Sequence, residues 1–344
     1  MVVGAGTAGT AETGTEPEES SRWAMAWRTW LSIGQKVTVV TAEAEEAADT
    51  AAPTQAFLTA LYHIFPLLHP HIKTRLGPGD VARLAQVTTS CLALPVQADS
   101  ELGFLLTVHD DSLLPLHTSI VKCVAAIESH ALAASPALLP PVFSLYLQLS
   151  KLVHTWPAGA HQCAVKGMFP EKYILFGERA LLNIGRLYER THSMAEVAGT
   201  GLLQEIVTTV RTPLHLKYKC IKQSSWRIAM EVLLSVLTSS LQDTRDKEQH
   251  TEVWAAVTET LDTFLFPSVK PPSDRSPDQL AEDEAIDCSV IEFLKNKVLD
   301  QPSLFPHSFI LSIMVILNKG SIHSHYNGED LNKNQESVVV ITMR

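Results

Sequence analysis

The sequence predicts an all-α fold, a solenoid of helical repeats with disordered termini, and three observations carry that expectation. Apolar stretches of helical period recur from Thr54 to Asn318, separated by Pro, Gly and short polar breaks. Leu, Ala and Val supply most of the 46% hydrophobic content, while aromatics make up only 7%. Strand signals are scarce. Asn327-Gly328 lies in a polar tail, and the β-prone run Val338–Thr342 has no partner run nearby.

Each element follows from local pattern. Residues 1–20 hold almost no large apolar side chain and cannot bury enough surface to offset the cost of ordering, so disorder is expected there. Residues 21–52 read as a short helix followed by an acidic linker, Glu43–Ala52. The array itself is placed at 53–318. Its first helix spans Thr54–Leu68, with Phe57, Leu61, Ile64, Phe65 and Leu68 on one side and Pro66 and Pro70 marking its end. The next opens at Gly79-Asp80, with Asp80 as N-cap, and stops before Pro95. Further helices are expected over Asp111–Ala133, Pro136–His154, Glu171–Thr191, Leu202–Val210, Ser225–Leu241, Thr251–Phe266, Asp278–Leu299 and His307–Asn318. Ser225 reads as a cap, ahead of Ile228, Val232, Leu233 and Val236 on one apolar face. Residues 319–344 form a flexible tail. About ten helices with short connections suggest hairpins laid side by side, roughly 40 residues per pair, an array of the HEAT/armadillo kind. One irregular helical bundle is the alternative.

Composition removes several function classes. The 344 residues carry 27 basic and 37 acidic side chains, a net charge of −10 that argues against nucleic acid as a partner. The acidity is local. Residues 1–50 hold eight acids against Arg22, Arg28 and Lys36, and residues 274–287 hold six against Arg275, so the rest of the chain is neutral. Cys91, Cys123, Cys163, Cys220 and Cys288 are scattered without a C-x-x-C pair, the pattern of reduced thiols in a cytosolic protein. The longest clean apolar run, Phe309–Leu317, is far short of the roughly 20 residues a spanning helix needs. No secretory signal is read, so any membrane association is expected to be peripheral.

Motifs of chemistry are weak. Gly4-Ala5-Gly6-Thr7-Ala8-Gly9 matches a dinucleotide fingerprint, yet only three residues precede it and no apolar helical face follows. The H-x-H pairs His69-Pro70-His71 and His323-Ser324-His325 lack a further ligand at zinc spacing, and His109-Asp110-Asp111 suits helix capping. No nucleophile elbow or phosphate loop is present, and Cys220, beside Lys219 and Lys222, is the one thiol in a cationic setting. Catalytic, metal and cofactor sites are therefore all expected to be absent, as is a small-molecule substrate.

One segment stands out by charge. Arg211, Lys217, Lys219, Lys222 and Arg227 occur with no acid between Glu205 and Glu231. These five are the candidate contact for an anionic partner: a lipid headgroup, an acidic protein segment, or the chain's own acidic stretch at 278–287. A solvated inter-helix loop is the plain alternative.

Several stretches, in order along the chain, resemble one family. They are Trp30–Gly34 (WLSIG), Phe57–Leu76 (FLTALYHIFPLLHPHIKTRL), Tyr173–Leu181 (YILFGERAL), Leu261–Pro267 (LDTFLFP) with Asp283–Cys288 (DEAIDC), and Ile316–His323 (ILNKGSIH). Together, from Trp23 to His323, they resemble the C-terminal part of the Mon-two proteins, scaffolds similar to the large Arf guanine-nucleotide exchange factors. The resemblance implies a HEAT/armadillo-type solenoid and a non-enzymatic scaffold in endosome-to-Golgi and trans-Golgi vesicle trafficking. It also implies a cytoplasmic location, peripheral on trans-Golgi and endosome membranes. Implied partners are proteins: a Dopey-type protein, a lipid flippase and an Arf-like GTPase. The alternative function is exchange factor or regulator for an Arf-like GTPase, although no exchange domain is identifiable. Family members are several times longer, so a fragment or short isoform is expected, with its last apolar face, Phe309, Ile313 and Leu317, left uncapped.

Overall fold

The computed structural model describes residues 16–44, 55–93, 113–155, 169–198, 200–241, 247–273 and 275–322. Among them are twelve α-helices and no strand: α1 (Glu16–Ala44), α2 (Gln55–Ile72), α3 (Pro78–Ala93), α4 (Pro115–Ala134), α5 (Leu139–Ser150) and α6 (Phe169–Thr191), then the short α7 (Ala195–Ala198), α8 (Leu202–His215), α9 (Ser224–Ser240), α10 (Lys247–Leu265), α11 (Pro277–Phe293) and α12 (His307–Ile322). Helices alternate between two layers. In one, α2 packs on α4, α6 on α9 and α9 on α11, with His117 of α4 stacked on Phe176 of α6. In the other, α3, α5, α8, α10 and α12 follow one another. The fold is an all-α helical-repeat solenoid, and one continuous apolar core runs through it from Trp27 to Ile316.

The first-layer helices begin at residues 55, 115, 169, 224 and 277, a period of 53 to 60 rather than 40. Part of the surplus comes from α7, inserted between α6 and α8.

At the N-terminal end, α1 lies across both α2 and α3. It starts at Glu16, inside the stretch expected to be disordered, and is 29 residues long. Its indoles explain the docking. Trp27 and Trp30 are buried one turn apart, Trp30 donating its Nε1–H to the Leu61 carbonyl at 2.7 Å and Trp27 to Asp80 at 3.3 Å. Asp80 is therefore not the cap of α3. It is the third residue of that helix, and its other oxygen accepts from the Gly77 amide at 3.0 Å.

Two prolines do not stop α2, which runs through Pro66 and Pro70 to Ile72. Each interior proline costs about 3 kcal/mol by removing a hydrogen bond and crowding the preceding turn. Burial of Leu68 and Ile72, beyond the first proline, holds the helix together. Likewise α8 continues through a buried Pro213 to His215.

At the other end, Phe309 and Ile313 are not an uncapped face. They are buried, Phe309 against Trp254 with ring centroids 4.7 Å apart, while Leu317 is half-buried. The apolar side chains α12 turns outward are Leu311, Met314 and Val315.

Candidate functional site

The basic segment forms the end of α8, a 3₁₀ turn at Lys217–Lys219 and the start of α9. Of its cations, Lys217 is buried, Arg211, Lys222 and Arg227 are half-buried, and Lys219 is exposed. Lys217 is 1% exposed, and its ammonium donates to Asp287 Oδ1 at 2.6 Å from a cage of Tyr218, Trp226 and Phe264 rings, the last centred 4.1 Å away. Burial pushes the Lys217 ammonium below its ordinary value and the Asp287 carboxyl above its own, each opposed by attraction to the other. A cation so enclosed has no access to an external anion.

Arg227 completes a second pair. Its Nε and Nη2 both donate to Asp283 Oδ1, at 3.1 and 2.6 Å, and its Nη1 to Glu282 at 2.6 Å. The other oxygen of Asp283 pairs with Arg275, from the loop ahead of α11. Arg275 also donates to Gln223 at 2.5 Å and lies over the Tyr218 ring. On the opposite side, buried Glu178 of α6 accepts from Ser224 at 2.7 Å and Ser225 at 2.8 Å, and faces Lys222 at 3.5 Å. Ser225 thus serves α6 instead of capping α9. Four cations (Lys217, Lys222, Arg227, Arg275) meet four carboxylates (Glu178, Glu282, Asp283, Asp287), and the set is neutral.

Of the three anionic partners the sequence offered, the chain's own acidic stretch at 278–287 is met here: its carboxylates take Lys217 and Arg227. Two members of the five stand apart. Arg211 pairs with Glu259 of α10, and Lys219 is exposed with no ion pair among the described residues. Sequence reasoning missed Glu178, which lies 46 residues upstream of Ser224, and it counted Arg275 only as charge. No local signal marks either.

The other motifs carry no assembled chemistry. His69 is buried against Phe65 and His130, and His71 stacks on Trp23 at 3.9 Å. Among the described residues no group of three or more His, Cys, Asp or Glu is placed to hold a metal. Burial pushes the Cys220 thiol up to about 11, aided by Glu178, so its cationic neighbours do not activate it. The glycine motif at residues 4–9, His109-Asp110-Asp111, His323-Ser324-His325 and Cys163 lie outside the described residues. No described helix is long and apolar enough to cross a membrane.

One groove of about 410 Å³ opens between α3, α5 and α8. Ala82, Ala85, Pro140 and Pro141 line it together with polar Gln86, Ser144 and Gln148, and Glu205 supplies its single charge. None of the five cations lines it.

Residues 13–336 match the family described as the C-terminal region of Mon2 protein. The chain belongs to that family. It is 36% identical over 342 residues to the Mon2 homologue of Drosophila melanogaster, covering 90% of this chain and 20% of that protein. To the human homologue it is 30% identical over 331 residues, covering 90% and 19%. The chain thus spans about a fifth of the length of these curated relatives. No solved structure matches it. All five ion pairs of the neutral set lie within the matched residues 13–336.

Proposed function

We propose that this chain is a non-enzymatic adaptor in endosome-to-Golgi and trans-Golgi vesicle trafficking, acting on the cytoplasmic face of those membranes and docking partner proteins on its helical array. Membership of the Mon2 family supports the trafficking role. The observation that carries the adaptor reading is how the solenoid distributes its polar groups. Its strongest charges close on one another between helices, which fixes the array, while the groove between α3, α5 and α8 offers small side chains and uncharged hydrogen-bonding groups. Such a surface lets a partner backbone approach closely and pairs its polar groups while desolvating at most one charge, Glu205.

Partners of the Dopey, lipid-flippase and Arf-like GTPase types are the proteins we assign to it. Capture of a purified Dopey-type protein by the chain tests the reading, with Gln86→Arg and Ser144→Arg as variants that fill the groove. Capture lost in both, with the far-ultraviolet circular dichroism unchanged, is the expected result. Stimulated nucleotide release from an Arf-like GTPase would instead place the chain among exchange factors.

A further inference from the structure

We infer that the outer face of the α1–α2 hairpin docks an acidic amphipathic helix of a partner protein, which lays its apolar side over Phe57, Ala60, Ile64 and Leu67. This surface shares no residue with the groove between α3, α5 and α8 and does not depend on what that groove holds.

Spacing is the first observation. Residues 57, 60, 64, 67 and 71 of α2 recur at intervals of three, four, three and four, the heptad seam along which one helix accepts another. All of them are exposed, Phe57 at 45%, Ile64 at 46% and Leu67 at 72%. Beside them runs α1. Trp23 stacks on His71, Trp27 meets Phe65 and Trp30 donates to Leu61, so the two helices are antiparallel. That register brings exposed Ile33 to the level of Phe57. The contrast with α6, in the same layer as α2, is sharp. Every exposed side chain among its described residues is charged: Glu171, Arg179, Arg186, Glu189 and Arg190.

Charge selects the occupant. Among the described side chains of the hairpin and the turn after it, residues 21–36 and 56–79, the formal charges are Arg22, Arg28, Lys36, Lys73 and Arg75. All are exposed, and no Asp or Glu stands among them. The next acid along the chain, Asp80, accepts from Trp27 and from the Gly77 amide. Arg22 adjoins Trp23, whose stack on His71 sets it at the same end of the hairpin as Lys73 and Arg75. A second copy of the chain would bring the same cations against these, and like charges repel. The acidic run between the two helices, residues 43–54, has alanine and proline as its only apolar side chains and cannot cover the stripe. An acidic helix with an apolar seam satisfies both the stripe and the cations. From Phe57 to Leu67 the stripe is about 15 Å long, or roughly three turns, which sets the length of helix it takes. On α12, Leu311, Met314 and Val315 also face outward, but no Asp, Glu, Lys or Arg between Pro302 and Asn318 chooses a partner for them.

Labelled synthetic helices of about four turns, titrated with the full chain and read by fluorescence anisotropy, test this. One carries leucine at heptad spacing and glutamate on its flanks, a second has lysine in place of glutamate, and a third has serine in place of leucine. The first is expected to bind, more weakly in raised salt, and the other two to stay free. Ile64→Ser and Leu67→Ser should each weaken binding about tenfold or more with no change of charge. Lys36→Glu with Lys73→Glu should weaken it by a similar factor, and Leu311→Ser, removing an exposed apolar side chain elsewhere, should change nothing. No binding of the acidic helix, equal binding of the acidic and lysine helices, or full binding by Leu67→Ser would overturn the proposal. So would capture of phosphatidylserine vesicles through Leu67 by a chain that ignores the acidic helix. Gln86→Arg separates this surface from the groove. Helix binding kept while Dopey capture is lost supports the hairpin as a second site, and helix binding lost with that substitution overturns it. Helix binding absent with Dopey capture intact defeats the hairpin alone, whereas the reverse defeats the adaptor reading of the groove.

Discussion

The ammonium of Lys217 and the carboxylate of Asp287 lie 2.6 Å apart across 70 residues of sequence, tying the α8–α9 turn to α11. The two ends are unequally enclosed, since the Lys217 side chain is 1% exposed and that of Asp287 is 21% exposed. Removing one partner of a buried pair leaves the other uncompensated, and the cost depends on whether it can reach water. Asp287→Ala strands a sealed ammonium and is expected to cost about 3 kcal/mol. Lys217→Met keeps the stem packed in the aromatic cage and leaves a carboxylate with an outlet, so about 1 kcal/mol is expected. The double variant should be more stable than Asp287→Ala alone. Urea unfolding followed by circular dichroism reads all three, and equal losses from the two single changes would contradict the asymmetry.

Acid should weaken the N-terminal half of the array through two buried histidines. His117, between Phe176 and Tyr173, is held down to about 3 by burial and then by Lys172. His69 is held down to about 4 by burial, then by His130 and Lys73. Unfolded, both take up a proton near 6.5, so between that value and the folded ones the unfolded chain binds more protons. Their contribution is complete above pH 6.5 and is lost as pH falls towards 4 and then 3. From pH 7 to 5 each gives up about 2 kcal/mol. In His117→Phe the denaturation midpoint should fall less steeply over that range, and an unchanged pH slope would rule the effect out.

Thiol chemistry should follow enclosure instead of neighbouring charge. Burial pushes Cys91 up to about 12 and raises Cys123 well above its usual range, and neither side chain reaches solvent. A disulfide reagent applied to the folded protein at neutral pH should leave both unmodified, with Cys220 reacting slowly. Mapping modified peptides by mass spectrometry checks this, and rapid labelling of Cys123 would mean that α4 opens readily.

Much of the array was legible because periodicity reports burial directly. The helices at 169–191, 202–215 and 224–240 lie within a few residues of where Ile174, Ile206 and Val232 with their neighbours place them. Proline was misleading. In α2 it signals a stop, yet the helix continues through Pro66 and Pro70, with Leu68 and Ile72 buried beyond the first of them. The site was half legible. The charges of residues 211–227 and 278–287 stand out in the sequence, and an internal pairing is one option they leave open. Which cation turns inward depends on the aromatic cage of Trp226 and Phe264 around Lys217, and residues 47 apart meet only through the fold.

Two glycines of α6 should respond oppositely to the same substitution. A β-carbon at Gly177 would come within 2.8 Å of the Val153 amide nitrogen and 3.2 Å of the Leu152 carbonyl carbon. Both are backbone atoms of the turn that follows α5, and they cannot swing aside as a side-chain end does. At Gly185 the nearest atoms are the Val232 methyls, at 3.5 and 3.6 Å, which is ordinary contact. Gly177→Ala should therefore force α6 away from residues 151–153 and cost about 2 kcal/mol, as overpacking does. Gly185→Ala should gain up to about 1 kcal/mol, because alanine loses less backbone freedom than glycine on entering a helix. Thermal midpoints measured side by side decide the matter. A stabilised Gly177→Ala would show that the α5–α6 contact is looser than a 2.8 Å approach allows.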